Sequence, residues 1–279
     1  MWVIWVCSFI VLAVMFTQFY KIATKKSQHH GALTVLIQLI AGSSIMIIYP
    51  WFNMDLPTNL TGYLFLAVAV FFYAISDRVN TTVRSGLEAS SFGIINQLST
   101  VFIILAGFLI FKDPFSISKI IGIILIIFSN IMLFYKKGEG KINKYVLLGI
   151  LASLSYSIAI ILDVNNSLHF NLPSYVAMTL LFSALIIILF ENIGLDKIRA
   201  EFQNGNKAAI IITGLSWSAM IFTQLRAYQS GNVSTIAPLL ALAVISNVII
   251  GYIFLKERNS LLKKLIAAVL IIISVILIR

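Results

Sequence analysis

Residues 173–190 read PSYVAMTLLFSALIIILF and contain no charged side chain. A helix of this length can cross the ~30 Å hydrocarbon core of a bilayer. Similar apolar runs recur along the whole chain. In lipid, every backbone polar group must be bonded within the protein. Long apolar runs without alternation of polar and apolar residues are typical of transmembrane helices rather than of barrel strands.

The composition of the chain also indicates that most of its surface faces lipid rather than water. Hydrophobic residues occupy 60% of the 279 positions, charged residues occupy 11%, and the mean hydropathy is +1.00. Soluble domains carry about 25% charged residues, so no water-soluble surface can be built from this ratio. The net charge of +10 lies in short loops between apolar runs, which indicates membrane topology and no nucleic-acid partner. The predicted fold class is all-α and polytopic, with membrane lipids as the surroundings.

Polar breaks divide the chain into about ten predicted transmembrane helices, helices 1 to 10. They lie near residues 2–20, 31–49, 60–80, 89–111, 116–135, 145–163, 173–191, 207–229, 233–255 and 261–278. The longest breaks, residues 136–144 and 192–206, are too short for a soluble domain. The first run lacks the basic start and the small-residue cleavage site of a signal peptide, so we expect it to remain as helix 1. Cys7 is the only cysteine, which excludes an intrachain disulfide and a cysteine-based metal site.

The two halves of the chain repeat each other. Ser85-Gly86 recurs as Ser230-Gly231, 145 positions later. The pattern Gly-x4-Lys-Asp/Glu-x2-Ser-x2-Lys occurs at residues 107–119 and again at residues 251–263. We predict one five-helix repeat over residues 1–135, a basic linker over 136–144 and a second five-helix repeat over 145–279. Because five is odd, the second repeat must enter the membrane in the opposite direction, which predicts inverted repeats.

The distribution of Lys and Arg predicts the orientation. The loops between helices 1 and 2, 3 and 4, 5 and 6, 7 and 8, and 9 and 10 hold most of the 20 Lys and Arg residues; the exceptions are Lys112, Lys119, Arg226 and Arg279. Positively charged loops tend to stay in the cytoplasm. We therefore predict a multi-pass protein of the plasma membrane with these loops inside the cell and both termini outside.

Several short motifs resemble the ends of EamA-type repeats of the drug/metabolite transporter superfamily. The second half contains LRAYQSG at 225–231, APL at 237–239 and GYIFLKE at 251–257. The first half echoes them with VRSG at 83–86, GI at 93–94 and GFLIFKD at 107–113. The resemblance covers essentially the whole chain. It implies a ten-helix transporter of a small molecule, without a cofactor, whose helices 1–4 and 6–9 surround a central cavity; a homodimer is compatible with it.

Two features depart from the family pattern. Gly93 stands where the second half has Pro238, so the kink that the resemblance implies in helix 4 should be softer. The family is usually drawn with both termini in the cytoplasm, which is opposite to the orientation that the charge distribution predicts.

Polar side chains at helical spacing mark the residues expected to line the cavity, because polar groups in a membrane helix are costly unless they face a cavity or another helix. On helix 3, Tyr73, Asp77, Asn80 and Arg84 share one face. The substrate-cavity candidates are Tyr73, Asp77, Asn80, Asn96, Gln97, Thr100, Tyr156, Trp217, Gln224, Pro238, Gln38 and Gln18.

Other polar and small residues extend these stripes and leave alternatives open. Helix 6 offers Asp163 and helix 7 offers Tyr175. Gly42, Gly93 and Gly107 favour close helix packing. The amides among the candidates fit a role in joining neighbouring helices as well as they fit ligand contact.

The charged candidates have two readings each. Asp77 either contacts a cationic ligand or an ion, or is a helix-end carboxylate that reaches water or pairs with Arg78 or Arg84. Arg226 carries the same ambiguity. The simplest interpretation of Asp113 and Glu257 is that they are loop residues whose repetition reflects duplication.

No set of residues predicts catalysis or a metal site. His29 and His30 are adjacent in a loop, His169 has no HExxH-like partner, and Ser216 lies inside an apolar helix rather than on a nucleophile elbow. The favoured function is a secondary transporter or exporter of a small metabolite, amino-acid-like or otherwise polar or amphipathic, working by alternating access. The alternatives are a non-transporting membrane scaffold or lipid-interacting protein and, third, an intramembrane enzyme.

Overall fold

The computed structural model describes residues 2–51, 56, 60–109, 116–134, 143–230, 236, 239–240, 242–257 and 259–278. These residues form helices and connecting turns, with no strand among them. The helices are α1 Trp2–Thr24, α2 His30–Ile45, α3 Leu60–Gly86, α4 Ala89–Ile95, α5 Leu98–Leu109, α6 Ile117–Phe134, α7 Lys144–Asn166, α8 Leu172–Glu191, α9 Leu195–Asn204, α10 Lys207–Gln229, α11 Ala243–Phe254 and α12 Leu261–Ile278, with 3₁₀ turns at Met46–Trp51 and Ser167–His169.

Six of the described segments are long and apolar enough to cross a membrane. They lie in α1, α2 with the start of its 3₁₀ turn, α3, α7, α8 and α10. Shorter apolar helical stretches lie at residues 89–103, which include α4 and the start of α5, at 120–133 and at 243–254. The fold class is all-helical, and the chain is an integral, multi-pass membrane protein.

Three parts of the helix prediction need correction. The predicted helix over 89–111 is broken into α4 and α5, and the predicted helix over 233–255 is continuous in the described residues only from Ala243. The polar break over 192–206 contains α9, a short amphipathic helix whose polar residues hid it from a search for apolar runs. Pro238, Asp113 and residues 136–142 of the predicted linker over 136–144 lie outside the described residues.

Helices of the two halves pack against one another rather than forming two separate bundles. α1 packs along α10 and α3 packs along α7, while α2 packs against α8 and α6 against α12. A hydrophobic core between α1, α2, α3, α7, α8 and α10 contains Phe16, Ile37, Tyr175, Trp217 and Leu225 among its buried members.

Two glycines allow α2 to lie close to its neighbours in the second half. A Cβ atom at Gly42 would stand 2.6 Å from Cγ of Leu181 in α8, and one at Gly214 of α10 would stand 2.6 Å from Cγ2 of Ile40 in α2. Real Cβ atoms essentially never approach so closely, so only glycine permits this packing. The structure therefore places Gly42 at a close helix contact, as its sequence pattern favours.

The ends of many helices meet on one side of the bundle, which we call the basic face. There the Lys21 ammonium at the end of α1 donates to the carbonyl of Arg84 at the end of α3, over 2.6 Å. Gly86, where α3 ends, lies against the ring of Tyr145 at the start of α7. Lys264, near the start of α12, forms an ion pair with Glu88 next to α4. The loops that carry most of the positive charge thus share one face.

Candidate functional site

Helix α3 carries a line of polar side chains into the interior of the bundle. We call Tyr73, Asp77, Thr81 and Arg84 the α3 polar stripe. Their spacing of three or four residues puts them on one side of the helix. Each contacts a different set of neighbours in α1, α2, α4 or α7, so the stripe joins elements of both halves.

At one end of the stripe, Asp163 of α7 is held by two tyrosines. Its carboxylate accepts a hydrogen bond of 2.6 Å from the hydroxyl of Tyr73 and one of 2.5 Å from the hydroxyl of Tyr175 in α8. Asp163 is only 2% exposed and has no ion pair with a basic residue in the described part of the chain. A buried carboxylate without a cation is costly in a membrane, and the two hydroxyls offset only part of that cost.

Tyr156 extends this cluster toward α10. Its ring meets that of Tyr73 edge to face, with centroids 6.0 Å apart. The side-chain amide of Gln224 in α10 donates to the Tyr156 hydroxyl over 3.3 Å. The structure therefore brings together Tyr73, Tyr156 and Gln224 from the predicted set, around a carboxylate that the prediction ranked lower.

Asp77 lies two helical turns from Arg84 and is half-buried. Its carboxylate accepts a hydrogen bond of 2.9 Å from the amide of Gln38 in α2. Neither arginine proposed as its partner pairs with it: Arg78 forms an ion pair with Glu191, and Arg84 turns toward α1 and α4. The interpretation of Asp77 as a member of a local ion pair is therefore wrong.

A group of three hydroxyls separates Asp77 from Arg84. The Thr81 hydroxyl lies 2.6 Å from the Tyr20 hydroxyl of α1 and 2.5 Å from the Thr34 hydroxyl of α2. All three residues are buried. This contact ties the first three helices together between the two charges of the stripe.

Arg84 is enclosed by aromatic rings. Its guanidinium carbon lies 4.8 Å from the ring centroids of Phe16 and Tyr20 in α1 and 3.8 Å from that of Phe92 in α4. Arg84 is 4% exposed, and its Nε and Nη1 atoms have no hydrogen-bond partner among the described residues. Cation–π contacts compensate part of the burial cost, but the N–H donors are left unsatisfied.

The break between α4 and α5 exposes polar groups beside this stripe. At Asn96 and Gln97 the backbone tightens to i→i+3 hydrogen bonds, such as that from the Gln97 N–H to the Ile94 carbonyl over 3.1 Å. Serine hydroxyls of α7 take up carbonyls at the break: Ser153 donates to Ile95 and Ser157 to Ser99. The carbonyls of Ile95 and Ser99 at the break are therefore paired within the protein, as a nonpolar environment requires.

Three predicted cavity residues sit at this break. The side chains of Asn96, Gln97 and Thr100 are half-buried and form no hydrogen bond with another described residue. Gly93 leaves room near them, because a Cβ there would meet nothing closer than Cβ of Asn247, at 3.9 Å.

Glu257 lies in the loop after α11, as interpreted from the sequence, and it is also buried there as a cap of α4. Its carboxylate accepts hydrogen bonds from the Ala89 N–H over 2.6 Å, from the Ser90 N–H over 3.1 Å and from the Ser90 hydroxyl. The Lys264 ammonium lies 3.8 Å away. Glu257 thus links the loop after α11 in the second half to the start of α4 in the first.

The repeated Gly-x4-Lys-Glu motif explains how the Glu257 carboxylate is directed toward the start of α4. Lys256 adopts a left-handed conformation with φ of 56°, and the Glu257 N–H bonds back to the Gly251 carbonyl over 3.1 Å. This is the geometry of a Schellman-type helix end. A Cβ at Gly251 would lie 3.0 Å from Oε2 of Glu257, so the glycine makes room for the carboxylate.

The remaining predicted residues lie in packed contacts. Trp217 is 5% exposed, and its ring centroid is 5.2 Å from that of Phe16. Gln18 is buried and donates to the carbonyl and side chain of Asn247, each over 3.2 Å. Asn80 donates to Ser76 on its own helix over 3.2 Å. Trp217 and Gln18 thus join neighbouring helices, whereas Asn80 bonds within α3.

Sequence reasoning gave too little weight to Asp163, Arg84 and Glu257. Asp163 and Arg84 were members of stripes, and the signal that raises them is their charge on a predicted membrane helix. Glu257 was visible through the duplicated motif. None of the described residues forms a group of three or more His, Cys, Asp or Glu side chains that could hold a metal ion.

A comparison with known protein families assigns the second half of the chain. The family model described as the EamA-like transporter family matches residues 143–279. The second half of the chain belongs to the EamA-like transporter family. In this EamA-like protein the match includes α7, α8 and α10 to α12, which supply Asp163, Gln224 and Glu257 to the arrangement above.

The fold of this EamA-like chain also occurs in a solved structure. A protein of known crystal structure superposes on 97% of this chain and on 96% of its own length, with a TM-score of 0.64 and 11% sequence identity. At that identity the likeness shows a shared fold alone. No curated protein matches the chain.

Proposed function

We propose that this EamA-like protein is a secondary transporter of a small metabolite, in which two inverted five-helix repeats alternate access to a site between them. The observation that carries the proposal is how the halves pack. α1 packs on α10 while α3 packs on α7, and α2 packs on α10 while α3 packs on α8. If α1, α2 and α3 correspond to α7, α8 and α10, each contact has its counterpart under exchange of the halves.

The directions of these helices support the inversion. α1 and α3 both end at the basic face, where Lys21 contacts the end of α3. α3 and α7 run in opposite directions, because Tyr145 at the start of α7 meets Gly86, and Asn166 at its end donates to the Gly62 carbonyl. The first helix of one half therefore runs opposite to the first helix of the other.

The described residues of the two halves also share a turn in the helix expected to carry the site. The first half breaks at Asn96 and Gln97, and in the second half Leu242, 145 residues after Gln97, lies in a turn just before α11. Transporters with inverted repeats bind substrates at such discontinuous helices, where backbone groups can face a cavity. The half-buried amides of Asn96 and Gln97 suit contact with a polar substrate.

The basic face supports a cytoplasmic location for the ends gathered there. Lys21 contacts the end of α3, Tyr145 beside Lys144 meets Gly86, and Glu201 of α9, between Lys197 and Lys207, accepts from the Gln28 and His29 N–H groups in the loop after α1. Under the rule that cytoplasmic loops are positive, both termini lie outside the cell. Transport would then expose the site alternately to this face and to the opposite one.

Metabolite profiling tests the function directly. Cells that express the wild-type chain should differ from empty-vector cells in the extracellular or intracellular level of at least one small compound. Asp77→Asn, which keeps size but removes a half-buried charge, should reduce that difference several-fold at equal expression. Asp196→Asn, the same change on exposed α9, is the matched control and should leave the difference intact. Identical profiles with and without the wild-type chain would contradict transport.

Solvent access separates a transporter from a scaffold. In a Cys7→Ala background, cysteines at Asp77 and Asn96 should react with small water-soluble thiol reagents. A cysteine at Ile249, an exposed apolar position on α11, should react slowly because lipid covers it. Equal, slow labelling at all three positions would identify the α3 polar stripe as a dry packing seam and favour the scaffold.

A further inference from the structure

We infer that Arg84 is the docking group for a carboxylate carried by the transported compound, so that the cargo is a small monoanion with an apolar body. The inference rests on the proposed function and adds the chemical class of the cargo to it. It starts from a buried cation that the described part of the chain leaves without an acceptor.

The acids nearest in the fold are already engaged. Asp77, on the same stripe, accepts from Gln38. Glu257 caps α4, and Glu88 pairs with Lys264 and accepts from Asn259 over 3.0 Å. Arg84 therefore forms no salt bridge with a described residue, although it is 4% exposed. A buried guanidinium whose donors lack acceptors is retained at considerable cost, which makes it a candidate for a functional group.

The aromatic enclosure does not satisfy the guanidinium. Rings attract a cation through their π-faces, a contact worth roughly 0.5–2 kcal/mol. They do not accept the N–H groups as an oxygen does, and Nε and Nη1 keep their protons without a partner. A carboxylate oxygen accepts a charge-assisted hydrogen bond from a guanidinium N–H, and this is the kind of acceptor that Nε and Nη1 lack here.

The surroundings select the charge and shape of the ligand. Lys21 is the neighbouring cation, and its ammonium donates to the carbonyls of Arg84 and Ser85. A carboxylate brings a single negative charge into this aromatic enclosure, whereas a phosphate dianion would bring two and cost more to remove from water. Phe16, Tyr20 and Phe92 offer apolar contact to the body of such a ligand.

The conformation described is closed around this group. Phe16 and Tyr20 belong to α1 and Phe92 to α4, so a ligand reaches Arg84 when these helices move apart from α3. A compound that binds only the open form shifts the population toward it and stabilises the folded protein. Binding is therefore measurable even though the guanidinium is enclosed.

The test is thermal unfolding of the full-length protein in detergent, in a buffer of low anion content. The probes are benzoate, phenylacetate and hexanoate, each beside its neutral amide, with benzamidine as a cation of the same shape as benzoate. Inorganic phosphate is included as a second anion. At least one carboxylate should raise the melting temperature by several degrees in a saturable way, while its amide, benzamidine and phosphate should not.

Variants assign the response to Arg84. Arg84→Gln should abolish the carboxylate-dependent shift, and Arg84→Lys, which keeps the charge but loses the planar pair of donors, should raise the half-saturating concentration at least tenfold. Arg78→Gln is the matched control on the same helix, because Arg78 is already paired with Glu191, and it should keep the response. If Arg84→Gln does not fold, the amide comparison and Arg84→Lys decide the matter.

Several results would overturn the inference. They are a panel in which no carboxylate shifts the melting temperature, an amide or phosphate as effective as the carboxylate, or an Arg84→Lys variant that responds like the wild type. A merely structural Arg84 would lower the melting temperature when replaced without any ligand response in the wild type.

Transport assays keep this failure distinct from failure of the proposed function. Proteoliposomes would be loaded with the compound that metabolite profiling identifies. If the compound is neutral or cationic and the Arg84→Lys variant transports it at the wild-type rate, the carboxylate site is refuted but the proposed transport function is not. Absence of any movement would refute the transporter even if benzoate binds.

Discussion

Replacing Glu257 should destabilise the protein more than any other single loop substitution on the basic face. In the structure its carboxylate accepts from the N–H groups of Ala89 and Ser90 and from the Ser90 hydroxyl, and Lys264 stands 3.8 Å from it. Hydrogen bonds to charged groups contribute ~1.5–3 kcal/mol each. Glu257→Ala removes all three at once and takes one of two acids away from Lys264, which is 1% exposed.

The expected magnitude follows from what replaces these contacts. Water can reach part of the vacated space at the membrane surface, and Lys264 keeps Glu88, so the separate contributions do not add in full. Breaking a buried ion pair costs ~3–5 kcal/mol, and we expect Glu257→Ala to lower the free energy of unfolding by about that amount. Glu257→Gln keeps one acceptor and the shape, so its cost should be about half as large.

Equilibrium unfolding in mixed micelles, titrated with dodecyl sulfate and followed by tryptophan fluorescence, measures the difference. Asp196→Ala, an exposed carboxylate on α9, is the control and should change the free energy of unfolding by less than ~0.5 kcal/mol. A loss below about 1 kcal/mol for Glu257→Ala would refute the reasoning, because it would show that the start of α4 is stable without its cap from the second half.

Three further changes have defined outcomes. Tyr73→Phe removes one of two hydroxyl donors from buried Asp163 and should cost about 1.5–3 kcal/mol in the same titration; an unchanged midpoint would mean that this hydrogen bond is not formed. Gly42→Ala places a methyl group 2.6 Å from Leu181 and should cost ~1–3 kcal/mol, whereas Gly93→Ala, with its nearest neighbour at 3.9 Å, should be tolerated; equal effects would refute the close contact. A C-terminal alkaline phosphatase fusion should be active and a fluorescent-protein fusion dark, and the reverse would place the termini in the cytoplasm.

Helix positions in this protein could be predicted from the sequence to a large extent. The predicted segment over 207–229 coincides with α10, and those over 173–191 and 145–163 begin within a residue of α8 and α7. The reason is physical: in lipid the backbone must satisfy itself locally, so the length of an apolar run determines the length of a helix. The approach failed at α9, whose stability comes from contacts rather than from an apolar run. Ile198 is buried, and Glu201 accepts from the Gln28 and His29 N–H groups of the first half.

The break at Asn96 lay beyond the same reasoning. Gly93 suggested only a soft kink, and the residues from 89 to 103 are apolar enough to continue one helix. What permits the interruption is a pair of serine hydroxyls on α7, 58 positions away, that bond the carbonyls at the break. A partner so distant along the chain leaves no local pattern.

For Asp77 and Arg84, the sequence predicts their position on the helix, whereas only the tertiary structure decides their partners. The spacing of Tyr73, Asp77 and Arg84 alone put them on one face of a helix, because helical periodicity is a local property. Whether Asp77 pairs with Arg84 depended on tertiary structure. The Gln38 amide of α2 donates a hydrogen bond to the Asp77 carboxylate, while aromatic rings of α1 and α4 enclose the Arg84 guanidinium. Partners are chosen by packing between helices that meet only in the folded bundle, so the sequence determined that two charges face the interior and the fold decided that they remain apart.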